Sequence, residues 1–322
     1  MGEAANVLLV NEMMTPSVQQ AVTQMGHRCL LAKHREDAKS TLEHQPLDIL
    51  ICEIRDKDED FAIFDLAHRI QPNCRSIAVI SDSLEEYFPD MLARAFPNNF
   101  IADNSAVNQD ELVATIRKLL SGDIFGMHQY QIRVEKSVAL DSSRDKYPMI
   151  KQAADFFASH AVATRIIGNI ELIMNELITN ASFHAPTGIS GEPSHRDAER
   201  SAEIPFHGDR RPSVAYGIGE NHLGIAVSDC FGSLDQETFF SYVNRCFAEK
   251  SIHQSNGQGA GMGLFLVYKS LDQMVINVAP GEKTEVIALI DRGTTLGELK
   301  KRHHSFHFFK IDDLESTGKN KL

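Results

Sequence analysis

Short apolar runs alternate with amphipathic stretches along the first part of the chain. From Asn6 to about Gly122 the order is NVLLV, SVQQAVTQM, DILICEI, FAIFDLAHRI, SIAVIS, a helical pattern near Tyr87 to Ala95, NFIA and ELVATIRKLL. The apolar runs have strand length, and the stretches between them repeat apolar positions at helical spacing. Alternation of this kind predicts an α/β fold: a parallel sheet with helices on both faces.

The pattern changes near Ser121, where glycine, serine and charge mix through residues 123–145 and mark a connector. Asp145 to His160 then reads as a helix, with Ile150, Ala153, Ala154 and Phe157 on one side. A stronger helix follows in RIIGNIELIMNELITNASFHAP, with the core stripe Ile170, Ile173, Met174, Leu177, Ile178 and Ala181. The segment PSVAYGIGENHLGIAVSDCFGSLD reads as two strands turning at Gly219-Glu220-Asn221-His222. QETFFSYVNRCFAEKSIHQSN reads as a helix and then a polar loop. In Gly257 to Leu271, glycines enter a helix carrying Leu264, Val267, Tyr268 and Leu271, and MVINVAP and TEVIALI follow as strands joined by Gly281-Glu282-Lys283. The division predicted is one domain over 1–122, a connector over 123–145, a second domain over 146–295 and a tail over 296–322. Disorder is expected for the long polar segment Thr187 to Arg211. The tail is expected to be a basic strand or helix edge with a disordered end, in preference to a metal site on His303, His304 and His307.

Composition narrows the picture. The 322 residues suffice for two domains with full cores. A formal charge of -12 argues against nucleic acid as a partner, because neutralising phosphates takes a net basic face. Cys29, Cys52, Cys74, Cys230 and Cys246 are scattered and form no Cys-x-x-Cys pair, so neither a disulfide framework nor a zinc site is expected. The N-terminus has no basic region before its apolar run, and no apolar stretch reaches membrane-spanning length. A cytoplasmic protein with no membrane partner is expected.

Two constellations carry candidate chemistry. Gly257, Gly259, Gly261 and Gly263 stand at alternate positions ahead of a helix, an arrangement that lets backbone approach a phosphate at a helix N-terminus. The same string also suits a plain mobile loop. No Gly-Lys-Ser/Thr closes it and no strand feeds it, so it is neither a Walker nor a Rossmann loop. Upstream, Glu176, Asn180 and His184 fall at i, i+4 and i+8 and share one helical face. Taken singly, each suits a solvated or packed position.

The first half resembles the response-regulator receiver family, whose fold is the flavodoxin-like (βα)5 domain. Asp48-Ile49-Leu50-Ile51-Cys52-Glu53-Ile54 matches the strand that carries the phospho-accepting aspartate, and places Glu53 at the acceptor position. Glutamate is one methylene longer and is a steric mimic of the phosphorylated state, not the family's nucleophile. Asn11-Glu12 stands for the paired metal-binding acids, Asp103-Asn104 replaces the expected lysine, and Ser81 keeps the switch hydroxyl. The resemblance implies a pseudo-receiver used for docking or dimerisation, with a phosphorylatable receiver and an unrelated flavodoxin-like domain as the alternatives.

The second half resembles the GHKL ATPase superfamily, which implies an α/β sandwich with a mixed sheet covered by helices on one face. The Glu176, Asn180 and His184 face is similar to its N-box. The resemblance implies that Asn180 binds Mg²⁺ bridging the nucleotide phosphates and that Glu176 is the general base. It likewise implies that Asp229, at the end of a strand, accepts a hydrogen bond from the adenine amine. The family motif Asp-x-Gly-x-Gly is here Asp229-Cys230-Phe231-Gly232-Ser233, with Gly232 kept nearby. Lys250, in the lid position, and Gly257, Gly259, Gly261 and Gly263 become phosphate contacts, although Lys250 also suits a solvent-exposed side chain. Thr284 stands where a family Gly-Thr element reaches toward adenine. The cofactors implied are ATP and Mg²⁺.

The module looks most like the anti-sigma-factor serine kinases. The resulting expectation is a bacterial signalling protein that binds Mg·ATP, and phosphorylates a serine or threonine of a protein partner or sequesters that partner. The partner would be an anti-anti-sigma-like or other signalling protein, and pairing into a homodimer fits both families. The alternatives are a catalytically silent adaptor and a phosphorelay regulator with a GHKL output domain.

Overall fold

The computed structural model describes residues 4–10, 16–94, 97–104, 108–185, 203–208, 210–248 and 262–311. The chain divides into two compact units, Met1–Ile124 with Ser305–Leu322, and Phe125–His304.

The first unit runs β1 (Asn6–Val10), α1 (Pro16–Gln24), β2 (Arg28–Ala32), α2 (Arg35–His44), β3 (Ile49–Ile54), α3 (Lys57–Ile70), β4 (Arg75–Ile80), α4 (Phe88–Ala93), β5 (Asn99–Ala102) and α5 (Gln109–Ser121). The five strands lie parallel in the order β2-β1-β3-β4-β5. That is the doubly wound order of receiver-type and flavodoxin-like domains. Val7 to Val10, Ile49 to Ile51 and Ile77 to Ile80 are buried, as strands covered on both faces require. Asp56 caps α3 by accepting from the Glu59 amide at 3.1 Å, and Asn108 caps α5 through the Asp110 and Glu111 amides. The apolar runs mark β1, β3, β4 and β5 but not β2, whose Leu31 is exposed at the sheet edge.

The C-terminal part of the chain corrects one boundary. Ser305–Lys310, expected in a tail, forms strand β11, whose label follows the elements of the second unit. It pairs antiparallel with β5 through Phe306 opposite Phe100 and His307 opposite Asn99. Its side chains explain why: Phe306, His307, Phe308 and Phe309 are all buried. His307 belongs to this packing, with Nε2 2.9 Å from Glu111 Oε1 and Nδ1 3.2 Å from Asn99 Oδ1. Among the described residues no group of histidine, cysteine or carboxylate side chains is arranged to hold a metal ion.

The second unit contains β6 (Arg133–Ala139), α6 (Lys146–Ser159), α7 (Thr164–Thr179), a π turn over Asn180–His184, β7 (Ser213–Ile218), β8 (His222–Asp229), α8 (Gln236–Ala248), α9 (Met262–Tyr268), β9 (Gln273–Ala279), β10 (Lys283–Asp291) and α10 (Leu296–Leu299). Its strands run β9-β10-β8-β7-β6, antiparallel at every pairing. The sheet is therefore not the mixed one expected. Two hairpins, β7 with β8 and β9 with β10, are joined by β10 lying against β8, and hairpins pair antiparallel by construction. The helices α6, α7 and α9 pack side by side, and α7 also packs on β8. The expected connector supplies β6, an edge strand whose Arg133, Val134 and Glu135 are all exposed, so its sequence carries no apolar alternation. Of the segment expected to be disordered, residues 203–208 are held on the turn before α6: the Ile204 amide donates to Ser143 Oγ at 2.9 Å and the Phe206 amide to the Asp141 carbonyl at 2.9 Å.

Candidate functional site

Strand β8 is buried along its whole length and ends at Asp229, directly opposite Thr284 on β10. The turn beyond it is fixed by chemistry at two residues. Asp229 Oδ1 accepts from the Phe231 amide at 2.9 Å, and Gly232 sits at φ 57°, the left-handed region that favours glycine. A Cβ at Gly232 would collide with the Ala279 carbonyl oxygen and stand 2.7 Å from the Gly281 amide nitrogen. Gly232 therefore lets the turn after β8 lie flat on the β9–β10 hairpin.

This packing leaves Asp229 only 7% exposed. Burial pushes its carboxyl up to about 6, against the opposing pull of the Phe231 and Gly232 amides. Thr284 lies buried beside it, and its hydroxyl and amide are further donors that pull the Asp229 carboxyl back down. A carboxylate acceptor and a hydroxyl thus share a buried strand end, a combination suited to a ligand that presents a hydrogen-bond donor.

The second part of the site lies on α7. Its apolar stripe, Ile166, Ile170, Ile173, Met174, Leu177 and Ile178, is buried, which leaves Glu176 and Asn180 half-buried. Asn175 Nδ2 donates to Glu176 Oε1 at 3.1 Å. The other oxygen, Oε2, lies against Gly263 in the first turn of α9, so closely that a Cβ there would collide with it. After Thr179 the helix widens, and the Ala185 amide donates to the Asn180 carbonyl at 2.9 Å, a π-type bond. Asn180 Nδ2 is buried there without a hydrogen-bond partner among the described residues. Ser233 Oγ donates to the Ala185 carbonyl at 3.3 Å, tying the turn after Asp229 to the end of the π turn.

The structure thus brings Asp229, Gly232 and Thr284 into one cluster and Glu176 and Gly263 into another. Asn180 lies one turn along from Glu176. His184 closes the π turn, whose i→i+5 bonding departs from the i, i+4, i+8 spacing of a regular α-helix. Lys250, Gly257, Gly259 and Gly261 lie outside the described residues.

Two contributors carry no sequence signal. Asn175 is a polar residue beside a polar residue. Lys146, at the start of α6, is buried with Nζ 3.3 Å from Thr179 Oγ1 and 4.8 Å from the Tyr147 ring centre, and nothing local distinguishes it from a solvated lysine.

In the first unit, Glu53 is half-buried near the end of β3, with Oε2 3.0 Å from Arg55 Nη2. The buried acid of that edge is Asp60, which accepts from the Arg55 and Asp56 amides at 2.8 and 2.9 Å and from Arg35 Nε at 2.8 Å. Burial alone would raise its carboxyl, but these donors outweigh it and hold Asp60 below the usual carboxylate range. Ser81 is exposed after β4, and Asp103 and Asn104 follow β5. Asn11 and Glu12 lie outside the described residues.

No family model matches the chain, and no curated protein does. Among solved structures, the chain is similar to a CheY-like response regulator receiver domain protein from Methanospirillum hungatei, at 20% identity and a TM-score of 0.33, covering 37% of this chain and 96% of that one. It is also similar to a response regulator from Thermotoga maritima, at 15% identity and a TM-score of 0.34, covering 37% of this chain and 99% of that one. A response regulator receiver protein from Sinorhizobium medicae matches at 16% identity and a TM-score of 0.30, covering 35% of this chain and 90% of that one. The strand order of the first unit is in itself that of a receiver-type domain.

Proposed function

We propose that the second unit binds Mg·ATP as a GHKL-type module, and that the chain is a signalling protein using it to phosphorylate a serine or threonine of a protein partner, or to hold that partner in a nucleotide-dependent way. The observation that carries this reading is the buried strand end where Asp229 faces Thr284. An adenine amine is a donor that a carboxylate accepts, whereas guanine offers a carbonyl at the corresponding position, so the cluster suits adenine.

The remaining residues suit the rest of the nucleotide. Asn180 has a side-chain oxygen of the kind Mg²⁺ takes, and its buried Nδ2, a donor without a partner among the described residues, suits a phosphate oxygen. When bound, Mg²⁺ neutralises charge on the phosphates and so favours transfer of the terminal phosphoryl group. Glu176 holds one carboxylate oxygen against α9 and is the chain's candidate to accept a proton from an attacking hydroxyl. His184, Lys250 and the glycines from Gly257 to Gly263 are proposed as further contacts to the nucleotide, and the partner as an anti-anti-sigma-like protein.

For the first unit we infer a docking or pairing role. Glu53 is already engaged by Arg55, and it stands where the receiver family keeps an aspartate.

A ligand that binds only the folded state raises its melting temperature. Thermal unfolding of the intact chain should shift upward with Mg·ATP and not with Mg·GTP, and Asp229→Ala should abolish the shift. Equal shifts with both nucleotides would sink the adenine assignment.

A further inference from the structure

We propose that Asn175 is a positioning residue for Glu176, fixing which carboxylate oxygen meets the first turn of α9. Its consequence for turnover rests on the Mg·ATP reading above, whereas its structural content does not.

Side chains at i and i+1 on a helix point in different directions, so a hydrogen bond between them is not a default of helix geometry. Asn175 Nδ2 nevertheless donates to Glu176 Oε1 at 3.1 Å. That bond favours one of the two orientations by which a glutamate can exchange its oxygens. Oε2 is left against Gly263, where even a methyl group would displace it. The carboxylate is therefore held from two sides, by a donor on its own helix and by the bare backbone of α9.

Asn175 is in turn anchored. Thr179 Oγ1 donates to the Asn175 carbonyl at 2.6 Å, and the buried Lys146 Nζ donates to Thr179 Oγ1 at 3.3 Å. Polar contacts thus run from α6 to the main chain of Asn175 in the last turn of α7, next to the π turn that carries Asn180. An ammonium buried in this way costs free energy, offset in part by Thr179 Oγ1 and the Tyr147 ring. Gly263 accordingly has a role other than touching phosphate: it leaves room for the oriented carboxylate.

A proton acceptor works only within hydrogen-bond reach of its proton and in the right direction, so loss of orientation should appear in turnover and not in ligand affinity. Asn175→Asp keeps the shape and removes the donor; Asn175→Ala removes both. With Mg·ATP, each variant should lower kcat about tenfold or more with KM changed less than about twofold, and neither should worsen Glu176→Gln when combined with it. In the ligand-free protein, the ¹³C resonance of the Glu176 carboxyl should move in Asn175→Ala. It should stay in place in Asn169→Ala, whose amide donates instead to the Ser270 carbonyl at 3.0 Å. A Glu176 resonance unmoved by Asn175→Ala, or a kcat loss that adds in full to that of Glu176→Gln, overturns the proposal. If the wild type binds no Mg·ATP while the resonance still moves, the nucleotide reading fails and the positioning role stands.

Discussion

Asp229 combines the features of a recognition residue: it ends a strand, it is buried, and burial raises its carboxyl to about 6. The unfolded chain should hold that proton with the ordinary value of 3.8, so between about pH 4 and pH 6 the folded state binds more protons than the unfolded one. Stability should accordingly be greatest below about pH 4 as far as this group is concerned, fall through that window, and stay lower above it. Two pH units correspond to on the order of 2–3 kcal/mol. Chemical denaturation at pH 4 and pH 7 should show that fall in the wild type and a smaller one in Asp229→Asn; equal falls would place the titration elsewhere. The placement of Asp229 at a strand end and of Glu176 and Asn180 on one helix was legible because strand ends and helical spacing can be read from a sequence. Asn175 and Lys146 were not, because their roles depend on a side chain leaning over its neighbour and on burial between two helices.

At the scale of elements, what could be read was what repeats. Buried strands and the amphipathic α7 announce themselves by period, whereas β2 and β6 are edges with exposed apolar or charged positions and no clean alternation. The π turn at Asn180–His184 departs from the regular helix that spacing alone assumes. Strand β11 is the instructive case. Its SFHFFK sequence mixes histidine with phenylalanine, and its burial comes from a partner strand about two hundred residues earlier, with the Ala102 amide donating to Ser305 Oγ at 3.0 Å across a separation of 203 residues. Removing β11 by truncation after Arg302 would leave Glu111 and Asn99 buried without His307, and would open the edge of β5. Hydrogen exchange at the β5 amides should quicken by about tenfold or more in the truncated chain. Unchanged protection would mean that β11 covers the edge without stabilising it.

For the whole molecule, connectivity matters as much as either fold. The first unit takes residues from both ends of the chain, so the second is inserted within it, attached after α5 and before β11. A receiver-type sheet is thus completed only once the chain has passed through the antiparallel unit that carries the candidate nucleotide site. Among the described residues no helix is long and apolar enough to cross a membrane. With a net charge of -12, the nucleotide proposed above would depend on local donors and a cation instead of the general field. Calorimetric titration of the intact chain with ATP, with magnesium and then with a chelator in its place, reads out magnesium-dependent nucleotide binding. Binding should be saturable, depend on magnesium and weaken about tenfold or more in Asn180→Ala. Absence of saturable binding with magnesium present, or binding indifferent both to the chelator and to Asn180→Ala, would contradict the Mg·ATP proposal.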